Sequence, residues 1–288
     1  KAAPKRPQMS VRVITQRTQS PRTTILFHRG DFLRPQKTTP AIPAGLGTLP
    51  PVKPRHKDPK QLADRLDLAS WLVADNNPLP PRVAVNHAWT HLFGKGLVRT
   101  VNDFGVRGEK PTHPALLDWL ATEYRRLKWS RKDLILTIVL SHTYRQTSVT
   151  SLALAAADPQ NLLLTRQNRV RLQAEIIRDN ILSVSGALKK QMYGPSTAIG
   201  SIAKGKAGKE NPETWRRSVY MMAPRFNTHP VLRVFDAVDN FQSVGARTVS
   251  TTPSGALFMF NAPFLWQQAE LMAERIEREA GKARSEER

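Results

Sequence analysis

From Pro59 onward the chain carries apolar residues at helical spacing. Gln61 to Ala74 reads as a helix, with Leu62, Leu66, Ala69 and Leu72/Val73 on one side and Trp71 alongside. Residues 76–81, Asn-Asn-Pro-Leu-Pro-Pro, break that period. Pro81 suits a first helical turn, and Val83 to Phe93 continues as a helix closed by Gly94. Residues 94–110 hold four glycines and read as a loop. Thr112 is the candidate cap of a helix carrying Leu116, Leu117, Leu120 and Tyr124. Ser130 caps the next, with Asp133 in capping-box position before Leu134 to Leu140. A long helix is predicted over Asn168 to Lys190, with Leu172, Ile176, Ile177, Ile181, Leu182 and Val184 apolar. Tyr193 to Glu213 reads as a surface loop and Arg217 to Met222 as a short strand. Thr252-Pro253 opens a helix through Phe260, and Ala262 to Ala280 forms the last. The fold class is mainly α, a multi-helix domain with a minor β-hairpin near the N-terminus.

The first 60 residues differ. They hold 10 of the 22 prolines, which excludes long helices there. Ser10 to Thr15 and Thr23 to His28 read as two strands around a turn at Gln19-Ser20-Pro21, followed by an extended arm from Arg34 to Pro59. The predicted organisation is a basic Pro-rich arm over residues 1–59, a helical domain over 60–280 and a charged tail over 281–288.

The length of 288 residues supports a real core, and the longest apolar runs are far short of the roughly 20 residues that span a bilayer, so no membrane span is expected. The net charge is +21, and residues 1–60 supply +11 of it through 13 Lys and Arg against Asp31 and Asp58. Such a segment sticks to polyanions without sequence preference. No helix-turn-helix, zinc-finger or RNA-binding aromatic pattern accompanies it, which argues against specific nucleic-acid recognition. The absence of cysteine excludes disulfides, thiolate metal sites and covalent haem attachment in these residues.

Individual chemical motifs fall short of completion. Residues 200–207, Gly-Ser-Ile-Ala-Lys-Gly-Lys-Ala, miss a phosphate-binding loop because Ala207 stands where Ser or Thr must ligate magnesium. His87 and His91 have metal-ligand spacing, but Ala88 stands where a zinc-peptidase helix carries its Glu base. Arg169, Arg171, Glu175, Arg178 and Asp179 interleave both signs along one helix and read as a structural ion-pair network. The six tryptophans sit mostly at apolar helical positions and read as core. The loop at 94–114 joins two strongly apolar helices and is the predicted place for function. Arg82, Asn86, Trp89, His91, Arg99, Asp103, Glu109 and His113 are the candidates to converge there, closed by Tyr144 and Arg145. None is assigned a catalytic or metal role. An enzyme acting on polysaccharide would use Asp103 and Glu109 as its paired carboxylates.

Four stretches together resemble a known family. They are residues 65–72 (Arg-Leu-Asp-Leu-Ala-Ser-Trp-Leu) with Asn77-Pro78-Leu79; residues 86–89 (Asn-His-Ala-Trp) with 93–100, 103–105 and 111–121; residues 141–146 (Ser-His-Thr-Tyr-Arg-Gln); and Arg216 to Tyr220 with Phe235-Asp236, Gly245, Arg247, residues 251–253 and Asn261. The pattern resembles the planctomycete PSD-type domain of unknown function numbered fifteen fifty-three, from about Thr23 to about Ala273. It departs at His87, where the family carries Arg. The resemblance implies a C-terminal piece of a large extracytoplasmic protein, periplasmic or on the cell surface, with a cytochrome c-like module upstream. Haem c would belong to that module, with no cofactor in this chain. The expected function is a non-catalytic helical accessory or partner-binding module, its partners the upstream domains of the same polypeptide or another protein, with polysaccharide as a further ligand class.

Overall fold

The computed structural model describes residues 13–15, 24–41, 47–56, 63–197, 210–225, 228–238, 240–241, 243–247, 249–250 and 252–286. They divide into two compact units, residues 1–80 and 81–288.

In the first unit, strand β1 (Ile25–Phe27) pairs antiparallel with β2 (Pro35–Pro40), with Phe27 opposite Pro35 and an irregular register next to Ile25. The N-terminal hairpin therefore exists, but with a different partner strand. Val13 to Thr15 form no strand, and the predicted turn at residues 19–21 lies outside the described residues. The irregularity follows from chemistry: β2 begins and ends on proline, which has no N–H for a ladder. Helix α1 (Arg65–Leu72) starts on a reciprocal capping box, in which Asp64 accepts from the Leu66 and Asp67 amides and Asp67 accepts from the Asp64 amide. Arg55 closes the same group. Its amide and its Nε both donate to Asp67 Oδ1, at 2.9 and 2.8 Å, and its Nη2 donates to Asp64 at 2.7 Å. The Trp71 indole donates to the Pro50 carbonyl at 2.6 Å. This part of the basic arm is thus tied to α1.

In the second unit, helices α2 (Leu79–Phe93), α3 (Pro114–Arg126) and α4 (Arg131–Val139) build one core. Val85, Trp89 and Phe93 recur every fourth residue and form one buried stripe on α2. Leu117, Leu120, Ala121 and Tyr124 of α3 and Leu134 and Ile138 of α4 meet it. Trp89 stacks on Phe93 at 4.1 Å, and Phe93 meets the edge of Tyr144 at 5.5 Å. Pro81 lies in the first turn of α2 as expected, and the helix begins two residues before it at Leu79, with Pro80 also where no N–H partner is needed. The cap of α3 is His113 rather than Thr112, and no side chain caps it; Pro114 fixes the start. Ser130 caps α4 as expected. Of the tryptophans, Trp89 and Trp215 are buried, but Trp119 and Trp266 are 54% and 62% exposed, which corrects the all-core reading.

After helix α5 (Leu152–Ala157), a second core forms between helices α6 (Ala174–Val184), α7 (Pro230–Val234), α8 (Pro253–Asn261) and α9 (Pro263–Glu286). Leu182, Trp215, Val231 and Phe264 are its buried members. The predicted helix over Asn168 to Lys190 is cut at both ends. Residues 168–173 stay out of helix: the Asn168 amide donates to the Phe93 carbonyl at the end of α2, and Arg171 reaches Asp236. Gly186 at φ +78 stops the other end in a left-handed turn. The predicted strand from Arg217 to Met222 is a 3-10 turn at Ser218–Tyr220, bent because Asp179 accepts from both the amide and the hydroxyl of Ser218.

The buried Phe93 ring stacks on Trp89 and meets the edge of Tyr144, so truncation leaves a cavity in the first core. Phe93→Ala should lower stability by about 3–5 kcal/mol in urea unfolding, with the slope unchanged.

Candidate functional site

The loop that joins α2 to α3 is held from inside. Asn86 is fully buried on α2, and its side-chain amide pairs with both backbone groups of Val98, at 2.9 Å each way. This imitates a strand pairing and fixes the loop against the helix. Gly96 must be glycine, since a Cβ there would stand 2.4 Å from the Val98 carbonyl oxygen. Leu97, Val98 and Val101 are buried, so the loop supplies core as well as surface. Further on, the Thr100 hydroxyl donates to the Asp103 carbonyl and accepts from the Glu109 amide, while the Asp103 carboxylate accepts from the Gly105 amide at 2.8 Å.

The structure brings some predicted residues together and separates others. Arg82 pairs with Asp118 at 2.7 Å, and that guanidinium hydrogen bond holds the Asp118 carboxyl below the usual range. Trp89 is buried in the core. His91 is exposed and lies 3.5 Å from the Gln173 amide. Arg99 reaches Gln160. His113 Nδ1 lies 3.0 Å from the neighbouring Thr112 hydroxyl. Tyr144 packs on Phe93, and Arg145 is exposed. The hollow beside Asp103, about 230 Å³, is bordered by Asn102 and Gly245 and not by Glu109 or His113. A second void beside Trp89 and Arg99 is only about 20 Å³, room for one water. Among the described residues no group of three or more His, Asp or Glu is placed to hold a metal ion. The phosphate-loop-like segment lies outside the described residues.

The charged residues around α6 are paired, but with distant segments rather than along the helix. Arg247 makes a two-pronged contact to Glu175, at 2.6 and 2.9 Å. Arg171 pairs with Asp236 at 3.2 Å and donates to the Ser250 carbonyl. Arg169 is exposed. Ala174, Arg178 and Leu182 share one buried face, so a guanidinium stands where the pattern wants an apolar side chain. Arg178 is 0% exposed. It donates to Glu210 at 3.1 Å, to the carbonyls of Arg216 and Thr214 and to the Ser218 hydroxyl, and it lies 3.9 Å from Asp179. Glu210 is buried too, and on its other side His229 Nε2 lies 3.0 Å from Oε1, at a tilt that falls short of a well-aligned hydrogen bond. Burial pushes the Glu210 carboxyl up; His229 and Arg178 outweigh it and leave the pKa below the usual range. The Ser250 hydroxyl and amide likewise hold Asp236 down, and Arg247 lowers Glu175 against the effect of its burial. The sequence points to Arg178 and, within the family pattern, to Asp236 and Arg247, but not to Glu210 or His229. The available signal was the arginine at a core position of α6, which demands a buried carboxylate somewhere.

Fold and polar network define a mainly α-helical domain whose second core is organised around buried charge. Residues 64–287 match the model of a family described as PSD1, protein of unknown function (DUF1553), and the chain belongs to that family. No curated protein and no solved structure matches it.

Asn86→Ala leaves the Val98 N–H and C=O unpaired and should cost about 2–4 kcal/mol, with faster hydrogen exchange at the Val98 amide. Glu210→Gln leaves Arg178 as an uncompensated buried charge and should cost about 3–5 kcal/mol at neutral pH. A depressed carboxylate stabilises the fold above its unfolded pKa, and that stability is lost as pH falls through the folded value. Acid unfolding of the wild type should therefore steepen below about pH 4, and Glu210→Gln should flatten that limb.

Proposed function

We propose that this chain is a non-catalytic helical accessory module that docks, through an apolar face on α8 and the start of α9, onto a preceding part of the same extracytoplasmic, cytochrome c-linked polypeptide. The observation that carries the reading is a run of large apolar side chains left in solvent. Leu257, Met259, Phe260 and Trp266 lie within ten residues of one another and are 62%, 48%, 75% and 62% exposed. Stable monomers rarely present such a concentration, and exposed apolar patches mark interaction surfaces. Aromatic residues are enriched at the centres of such interfaces. The extracytoplasmic setting and the upstream haem c module are supported by the resemblance of the sequence to planctomycete proteins of this type. Among the described residues no helix is long and apolar enough to cross a membrane.

The polysaccharide-enzyme reading has less behind it. The Asp103 carboxylate serves as a turn acceptor for Gly105, and Glu109 does not border the hollow beside it. A paired acid and base need a shared space for substrate. The basic first 60 residues still predict salt-sensitive polyanion binding, and Arg55 is one cation there already committed to Asp64 and Asp67.

A photo-crosslinking amino acid at position 260 or 266 of the parent polypeptide tests the docking. Crosslinks to the upstream segment are expected from both positions and not from exposed Lys132 on α4. Equal yields at position 132, or no product at 260 and 266, would exclude this face as the interface.

A further inference from the structure

A hollow of about 350 Å³ opens between the segment that precedes α5 and the segment that leads into α6. Hydrogen bonds between the two segments hold it in shape. The Gln167 amide donates to the Thr147 carbonyl at 3.0 Å, and the Gln146 side chain donates to the Leu164 carbonyl at 3.2 Å. Ser148 and Thr150 give the wall hydroxyls, Arg166 and Arg169 give it positive charge, and Val149 is its one apolar residue. Among the described residues no carboxylate borders it. Asp158, the acid whose carboxyl Arg166 helps to hold down, already accepts from the Leu162 and Leu163 amides, at 2.8 Å each. Arg166 Nη2 donates to the carbonyls of Asp158 and Pro159, and its Nη1 is enclosed, so Arg166 is a fixed charge rather than a free donor. Arg169 is exposed and has no hydrogen-bond or ion-pair partner among the described residues, which leaves its guanidinium free. The side-chain acceptors of the wall are withdrawn: Asn168 Oδ1 accepts from the Asn161 amide, and Gln167 Oε1 is enclosed.

We propose that this hollow binds a small organic oxyanion, a phosphate or sulfate monoester on a polar body the size of a monosaccharide. Two like charges on one wall, with no acid beside them, repel each other and draw in an anion. Arg169 meets two oxygens of the anion with its planar fork. The Ser148 and Thr150 hydroxyls donate to the same group or accept from hydroxyls of the body. Arg166, held by backbone carbonyls, keeps the local field positive. The volume sets the size, because it lies near the low end of small-molecule sites and exceeds what a bare tetrahedral anion fills. The lining sets the polarity, because a single valine offers an apolar body little to bury against. The hollow shares no residue with the apolar face on α8 and the start of α9, and it differs from the basic arm in taking one compact anion rather than a polyanion.

Glucose 6-phosphate and glucose 6-sulfate are the probes, with glucose and inorganic phosphate as comparators. The backbone amides of residues 148–150 and 166–169 in the full ¹⁵N-labelled chain report on the hollow separately from the basic arm. At least one ester should shift them saturably, with half-saturation at about 0.1–1 mM, as suits a ligand of this size. A response to one ester alone identifies the group that is bound. Glucose should leave these amides unmoved, and inorganic phosphate should bind about tenfold more weakly than the ester. Arg169→Gln changes an exposed side chain and should weaken the ester by about fivefold or more, whereas Arg131→Gln on α4 should change nothing. Ser148→Val, which keeps the charge, should weaken it as well. The absence of a saturable shift with either ester, unchanged affinity in Arg169→Gln, an equal loss in Arg131→Gln, or inorganic phosphate bound as tightly as the ester, which would mean an adventitious ion only, would overturn the proposal.

Discussion

A guanidinium buried without water must be answered by negative charge and by carbonyl oxygens, and the second half of this fold is arranged around that demand. Arg178 occupies a core position of α6 and is wholly enclosed. Its donors draw in Glu210, the carbonyls of Thr214 and Arg216, and the Ser218 hydroxyl. Glu210 in turn holds His229, the residue that precedes α7. Stretches of chain with little regular structure are thereby fixed in place around one helix. Apolar contacts through Leu182, Trp215, Val231 and Phe264 surround the charges and raise the penalty for leaving any of them unpaired.

The first core of the same unit works differently. It is a three-helix assembly closed by aromatic stacking, with one buried amide, Asn86, fastening the loop that follows α2. That loop is rich in glycine for steric reasons. Gly96 and Gly108 stand where the backbone of Val98 and of Asp103 leaves no room for a Cβ. A polar, glycine-bearing segment between two apolar helices has the outward signature of a functional loop. Here much of its polarity is used to hold itself closed. A concentration of exposed apolar side chains lies elsewhere, on α8 and the start of α9.

How much of this was legible in the sequence depends on the range of the interaction. The stripe of Val85, Trp89 and Phe93, the cap at Ser130 and the proline starts of α3 and α8 depend on neighbours a few residues away, and they read directly from spacing. The predicted helix from Asn168 failed because its first turn is claimed by partners far along the chain, Phe93 and Asp236, which outweigh local propensity. The hairpin kept its place but changed its partner strand, since Pro-rich segments specify register weakly. Among the candidate site residues, Asn86 is tied to Val98 and Arg82 to Asp118, partners that spacing alone does not reveal. Glu210 and His229 went unnoticed because each stands isolated in sequence, and only the folded chain brings them to Arg178. Membership of the PSD1 family is consistent with that division, because local patterns carried the resemblance and the family supplies no reaction to transfer.

Arg178 and Glu210 act as one buried unit rather than as two independent surface-like charges. A double-mutant cycle in urea unfolding, with Arg178→Met, Glu210→Leu and the pair together, measures that directly. Each single replacement strands a buried charge, and the double replacement removes both, so a coupling energy of about 2–3 kcal/mol is predicted, with the double variant more stable than either single one. Single effects that simply add, to within about 0.5 kcal/mol, would contradict it.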